Sequence, residues 1–554
     1  MSSVTEVADY QKQPGLLDRE RIVAPPGFNR WLVPPAALAI HLCIGMAYGF
    51  SVFWLPLSQA IGITQPVPCP ANMSAFAQLF TTTCDWQVKM LGWMYTLFFV
   101  LLGCSAALWG GWLERVGPRK AGVVAAVCWS GGLVISAVGV YLHQLWLMWL
   151  GSGVIGGVGL GLGYISPVST LIKWFPDRRG MATGMAIMGF GGGAMIGSPL
   201  ADILMRHFAG PDSVGVWQTF LVLGAVYFVA MMCGAFGYRI PAPGWAPTGW
   251  TPPKQSDNSM ITQAQVHLDQ AWRTPQFWLI WLVLCLNVTA GIGVIGMASP
   301  MLQEVFGGRL IGVDAGFRDL NEAQLKELAT IAAAFTGLLS LFNIGGRFFW
   351  ASLSDRIGRK TTYSVFFLLG MGLYAAAPHL GAIGSVALFV LGFGIILSMY
   401  GGGFATVPAY LADMFGTRMV GAIHGRLLTA WAAAGIFGPL IVNYLRDWQL
   451  SQGLPPARVY DQTMYILAGL LLVGFICNLL IRPVNPKYYM TEQQLRDTAP
   501  PAATSADSGQ ATTAAAQQTS GSSALLVAVC WLAVGIPMAW GVWITLRKAA
   551  VLFN

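Results

Sequence analysis

The sequence predicts an all-α membrane protein of two six-helix halves followed by one extra C-terminal transmembrane helix. Three observations lead there. The chain has 554 residues, 55% hydrophobic and only 10% charged, too few polar groups to clothe a soluble globule of that size. Thirteen apolar stretches recur along it, each long enough for the roughly 20 helical residues that cross a hydrocarbon core of about 30 Å. A short pattern of acid, base, glycine and basic pair also occurs twice, 241 positions apart, and divides the chain in two.

Residues 1–30 read as a polar tail. Asp9, Asp18, Arg19, Glu20 and Arg21 come before any apolar run, a pattern unlike a cleaved signal peptide, so the first span is expected to be retained. The first half, 31–240, holds spans at 31–60, 89–113, 121–141, 145–168, 181–205 and 215–238. The Pro- and Gly-rich stretch Pro241–Ala271 makes 241–274 a linker. The second half, 275–485, holds spans at 275–302, 329–353, 361–381, 384–411, 420–444 and 462–482. Residues 486–523, rich in Ala, Thr, Ser and Gln from 494 onward, are expected to form a disordered tether. It leads to a last span at 524–546 within 524–554.

The net charge of +8 is a matter of orientation rather than of a nucleic-acid partner. Arg115, Arg119 and Lys120 follow the second span, Lys173, Arg178 and Arg179 the fourth, and Arg356, Arg359 and Lys360 the eighth. The loops after spans three and nine carry no Lys or Arg. By the positive-inside rule the N-terminus, the linker and the motif-bearing exits are cytoplasmic, and the expected location is the cell (inner) membrane. For the last span, Arg547 and Lys548 argue one orientation and the even count of preceding spans the other. The count is preferred, which puts the tether in the cytoplasm.

Seven of the nine cysteines fall within spans, where a thiol acts as a small apolar group. Cys69 and Cys84 lie in the outer loop after span one and are candidates for a disulfide that would contribute about 3 kcal/mol, or else two free thiols.

The repeated pattern is Glu114, Arg115, Gly117, Arg119 and Lys120, then Asp355, Arg356, Gly358, Arg359 and Lys360. An acid at a helix exit can pair with a base or with a helix N-terminus, so Glu114, Arg115, Asp355 and Arg356 are gating candidates that latch the halves in one conformation. The pattern resembles the loop signature of the major facilitator superfamily, with Glu114 for its usual aspartate and Ala351 for a usual glycine. The resemblance covers about residues 30–485 and implies the major facilitator fold. The run Lys173–Gly180, the run Tyr400–Phe404 and Met414–Arg418 resemble the oxalate:formate antiporter family, and Gly45 and Tyr48 fit its pattern. The last span resembles the separate single-span small subunit associated with such carriers, here fused.

Arg347 lies eight residues before Asp355, about 12 Å along a helix and so near the midplane. A guanidinium there is costly unless it meets a partner or a watery cavity, and it presents two parallel donors to a carboxylate. The resemblance implies the same role, since that family binds its anion with an arginine at this place. Asn343, one turn earlier, stands where the similar proton-coupled monocarboxylate transporters carry an aspartate; it can orient Arg347 but cannot carry a proton. Tyr48, Tyr164 and Tyr400 are candidate hydroxyl donors to the substrate. Trp431 occupies the place where oxalate carriers are thought to have a second cation, a lysine, and Arg426 is the other cation of that span, either in the cavity or snorkelling to the interface. His41 and His424 read as packing or hydrogen-bonded groups, and Asp202 can pair with Arg206.

These readings predict exchange of small carboxylate anions, oxalate- or formate-like, by alternating access. A proton-coupled lactate or pyruvate carrier and a transporter-like organic-acid sensor are the alternatives. Glycine clusters such as 157–163 and 191–193 lie in apolar spans and serve helix packing. No Walker lysine motif, metal-ligand spacing or catalytic constellation is present in the sequence, so the chain is expected to be no enzyme, to use no cofactor, metal or ATP, and to work as a monomer.

Overall fold

The computed structural model describes residues 15–63, 67, 69–70, 73–250, 260–498 and 523–552. Twelve of its helices are long and apolar enough to cross a membrane. In chain order the first half comprises α1 (Arg30–Phe53), α2 (Val88–Val116), α3 (Pro118–Tyr141), α4 (Leu145–Trp174), α5 (Arg179–Phe208) and α6 (Val216–Gly237). The second half comprises α7 (Pro275–Phe306), α8 (Glu322–Ile357), α9 (Arg359–Ile383), α10 (Val386–Phe415), α11 (Val420–Ser451) and α12 (Pro456–Leu480). The extra helix is α13 (Ala524–Ala549).

Helix α8 is not one of those twelve, yet it is the longest of the set at 36 residues. It starts seven residues before the expected 329 because Asn321 and Gln324 form a capping box, which satisfies the first free N–H groups reciprocally. Both motif copies end a helix in the same way. Gly117 closes α2 and Gly358 closes α8, each with φ +87°, a conformation open to glycine and strained for other residues. The chain then re-enters a helix at once, at Pro118 and at Arg359.

The halves meet along two seams, α2 against α11 and α5 against α8 and α10. Glycine permits the close approach. A Cβ on Gly180 of α5 would sit 2.1 Å from the Ala351 oxygen of α8, and one on Gly425 of α11 would sit 2.2 Å from the Ala106 oxygen of α2. The linker lies across the end that carries both motif copies, hereafter the motif end. Thr262 and Val266 donate their N–H groups to the Asp413 and Phe415 oxygens, and Gln265 accepts from the Met490 N–H.

Helix α13 packs on α1, α5 and α8, and so touches both halves. Near its start Trp531 donates its indole N–H to the Trp31 carbonyl at 3.1 Å, at the motif end of α1. Near its finish Thr545 packs on Gly337, toward the opposite end of α8. It therefore runs in the same direction as α1, the direction that an even count of preceding spans gives. At that opposite end Cys69 and Cys84 are joined in a disulfide, and Asp202 pairs with Arg206 at 2.9 Å.

Candidate functional site

Arg347 is fully buried where α8 meets α5. Its Nε donates to Asn343 Oδ1 at 3.0 Å, so the asparagine one turn earlier does orient it. Its Nη1 donates to the Ile187 carbonyl of α5 in the other half, also at 3.0 Å. Its Nη2 has no hydrogen-bond partner among the described residues, and no carboxylate pairs with the side chain among them. The guanidinium lies over two rings, Phe190 at 5.8 Å and Phe404 at 5.6 Å. A quadrupole face attracts a cation by about 0.5–2 kcal/mol, which offsets only part of the several kcal/mol that burying a lone charge costs.

Around it stands an aromatic cage drawn from both halves. Trp431 packs on Phe404 at 4.5 Å, Phe190 at 5.5 Å, Tyr164 at 5.4 Å and Tyr48 at 6.2 Å. The hydroxyls of Tyr48 and Tyr400 approach to 3.4 Å across the interface, and Tyr48 lies within electrostatic reach of Arg347. The Tyr164 hydroxyl and the Trp431 indole N–H are buried without partners among the described residues. The cage thus presents three donors without partners among the described residues, one of them charged. A small anion with planar oxygens matches that donor set.

Tyr48, Tyr164, Tyr400, Asn343 and Trp431 are therefore gathered around Arg347. Arg426 is not. Its guanidinium donates to the Leu268 carbonyl and to Asp269, each at 3.0 Å, and lies over the Trp272 ring at 5.6 Å. Helix α11 breaks at Leu428, and the turn before the break points this side chain at the linker rather than at the aromatic cage. Sequence reading missed Phe190 and Phe404, whose apolar character in apolar helices carries no signal of its own. The Tyr400–Phe404 glycine run now has a physical reason: it lets α10 lie against the Asn343 backbone and the Arg347 side chain, with a Gly401 Cβ only 3.0 Å from Arg347 Cγ.

At the motif end both repeat acids cap helix N-termini of the opposite half. Asp355 accepts from the Gly180 and Met181 N–H groups at the start of α5, at 2.8 and 2.9 Å. Glu114 accepts from the Gly421 N–H at the start of α11 at 3.1 Å, and from Ser169 and Lys173 of its own half at 2.9 and 2.6 Å. Between them Asp413 binds Arg179 of the first half at 2.9 Å and Arg359 of the second at 3.0 Å. Arg115 and Arg356, the bases expected to join the latch, instead point outward and are exposed. In the second copy Arg359, the first residue of the helix after the motif glycine, supplies the engaged cation, whereas in the first copy Lys173 pairs with Glu114 and Arg119 donates to the Leu16, Phe236 and Tyr238 carbonyls. Nearby, Arg30 grips Asp177 with two hydrogen bonds of 2.7 and 3.0 Å. Burial alone would raise that carboxyl, but the arginine outweighs it and holds it below the ordinary carboxylate value.

Comparison with known proteins bears on family and fold. The family model described as Major Facilitator Superfamily matches residues 38–439 and 323–552. The chain is 26% identical to the oxalate:formate antiporter of Oxalobacter formigenes over 416 residues, 74% of this chain and 83% of that one. It is 25% identical to apicoplast pyruvate carrier 1 of Toxoplasma gondii over 459 residues, 72% of this chain and 80% of that one. Over 439 residues, 76% of this chain and 78% of that one, it is 25% identical to monocarboxylate transporter 11 of Homo sapiens. In fold it matches the Escherichia coli fucose:proton symporter with a TM-score of 0.55 at 13% identity, covering 82% of this chain and all of that one. Its relatives are carriers rather than enzymes, and its spans are those of a multi-pass membrane protein. The chain is a membrane transporter of the Major Facilitator Superfamily.

Proposed function

We propose that the protein exchanges small carboxylate anions, oxalate- or formate-like, across the membrane by alternating access, with the N-terminus and the motif end in the cytoplasm. The observation that carries this reading is Arg347: a buried, fixed positive charge with a free Nη2, held between the halves inside an aromatic cage. An anion that takes up that donor neutralises the charge, so the loaded carrier crosses a dry barrier more cheaply than the empty one. Obligatory exchange follows from that difference. Asp355, Glu114 and Asp413 hold the cytoplasmic side shut in this conformer, and opening it releases two helix N-termini and one interhalf ion pair. The names of the relatives, an oxalate:formate antiporter and a pyruvate carrier among them, support a carboxylate as cargo.

The test is uptake of labelled oxalate, formate, lactate and pyruvate into proteoliposomes, empty or preloaded with each unlabelled anion. Uptake that requires a preloaded carboxylate supports exchange and identifies the pair. Equal uptake into empty vesicles contradicts exchange, and binding without any flux would favour a sensor.

A further inference from the structure

His41 lies on α1, fully buried, with its ring 5.3 Å from that of Tyr164 and 6.4 Å from that of Phe190. Both of its ring nitrogens face main-chain carbonyl oxygens: Nδ1 that of Ala186 on α5, and Nε2 that of Tyr164 on α4, the latter at 3.2 Å. A carbonyl only accepts. A neutral imidazole has one N–H, so it can satisfy one of these oxygens and must turn a lone pair toward the other. An imidazolium donates to both.

The next carbonyl along α5, that of Ile187, is the one that Arg347 holds. A guanidinium from the second half and an imidazole from the first therefore sit on consecutive carbonyls of one helix. The other titratable groups about His41 are Tyr164 from α4 and His424 from α11. Helix α6 brings Tyr227, which faces Cys43, and the charged residues of α5 lie at its two ends. No carboxylate interacts with His41 among the described residues.

We propose that His41 is a proton-binding site whose occupancy is linked to the presence of an anion on Arg347. This deepens the carboxylate reading and rests on it. With Arg347 unneutralised, its charge repels a proton on His41. A carboxylate on Arg347 cancels that repulsion, and the imidazole takes a proton from solution to satisfy both carbonyls. Linkage is reciprocal, so protonation tightens anion binding by the same factor that the anion raises proton affinity. The proton accompanies the anion in either direction, which is compatible with exchange. A site with one fixed cation then gains a second positive charge, which suits a dicarboxylate as well as a monoanion.

The experiment measures formate binding to the purified full-length protein by tryptophan fluorescence across about pH 6 to 8, where formate stays ionised, together with proton uptake read by a pH dye in weak buffer. Wild type is expected to take up protons on binding and to lose affinity by up to about tenfold per pH unit toward the alkaline end. His41→Gln should bind with a flat pH profile and no proton uptake, whereas His424→Gln should behave as wild type. A flat wild-type profile without proton uptake overturns the proposal and needs no variant; so does a slope retained in folded His41→Gln, or one lost in His424→Gln alone. Failure of the underlying reading looks different: wild type binds no carboxylate, or Arg347→Gln binds as well as wild type.

Discussion

Replacing Asp355 by asparagine isolates what the motif contributes to the conformational balance. Only contacts between the halves count, because a contact within one half survives rocking and does not bias either state. The bond of Asp355 to Arg359, at 2.6 Å, is of the second kind. The bonds from the Gly180 and Met181 N–H groups are of the first kind, since they tie α8 to the start of α5. Asparagine retains one acceptor oxygen and no charge, so one charge-assisted bond is lost and the other becomes neutral. Such bonds contribute about 1.5–3 kcal/mol against about 1 for neutral ones, and the lost charge at a helix N-terminus adds up to about 1 kcal/mol. These terms sum to about 2 kcal/mol at their lower end, which shifts the balance about 30-fold or more away from the state closed at the motif end. Spin labels on Arg178→Cys and Thr361→Cys, both exposed and in opposite halves, report this by pulsed electron resonance as a longer distance that gains population in Asp355→Asn. An unchanged distance distribution, in a protein of unchanged thermal stability, would refute the latch.

Gly401→Ala places a methyl within 2.5 Å of Asn343 Oδ1 and 3.0 Å of Arg347 Cγ; it should cost about 1–3 kcal/mol of stability by overpacking and abolish transport. Gly535→Ala on α13, with open space around it, should change neither, as melting and uptake assays will show. Removing the Cys69–Cys84 disulfide, which closes a 15-residue separation, should cost about 3 kcal/mol in local stability of the outer loop, seen as faster proteolysis after reduction. His143 is stacked on Trp86 at 4.1 Å and bonds the Cys84 carbonyl at 2.9 Å. Its burial pushes the imidazole below the ordinary 6.5. The unfolded loop thus binds more protons than the folded one, so this contribution is complete above pH 6.5 and is lost as pH falls below it. Hydrogen exchange in residues 73–87 should rise on acidification in wild type and less so in His143→Gln.

Much of the fold was legible because a bilayer leaves few options: long apolar runs must be helices, and alternate basic loops orient them. The repeat acids Glu114 and Asp355 were legible too, since each stands at a helix exit beside a glycine that ends it. Their partners were not. Arg179 meets Asp413 only because two halves dock, and Arg359 meets it because α9 packs on α10; nothing local distinguishes these residues from the exposed Arg115 and Arg356. The same holds for Arg426, whose direction depends on a break at Leu428 that no proline or glycine at that residue announces. Arg347 stood out as a lone charge at depth, and Asn343 as its neighbour by helical spacing, whereas Phe190, Phe404 and the carbonyls that hold His41 come from remote elements.

Exchange through Arg347 is tested most directly by counterflow: proteoliposomes preloaded with unlabelled carboxylate take up labelled carboxylate, with wild type and Arg347→Gln reconstituted to equal density. Accelerated uptake in wild type that falls at least a hundredfold in the variant is the predicted result, since the variant loses the fixed charge of Arg347 in the cage. Undiminished exchange by Arg347→Gln would contradict the account.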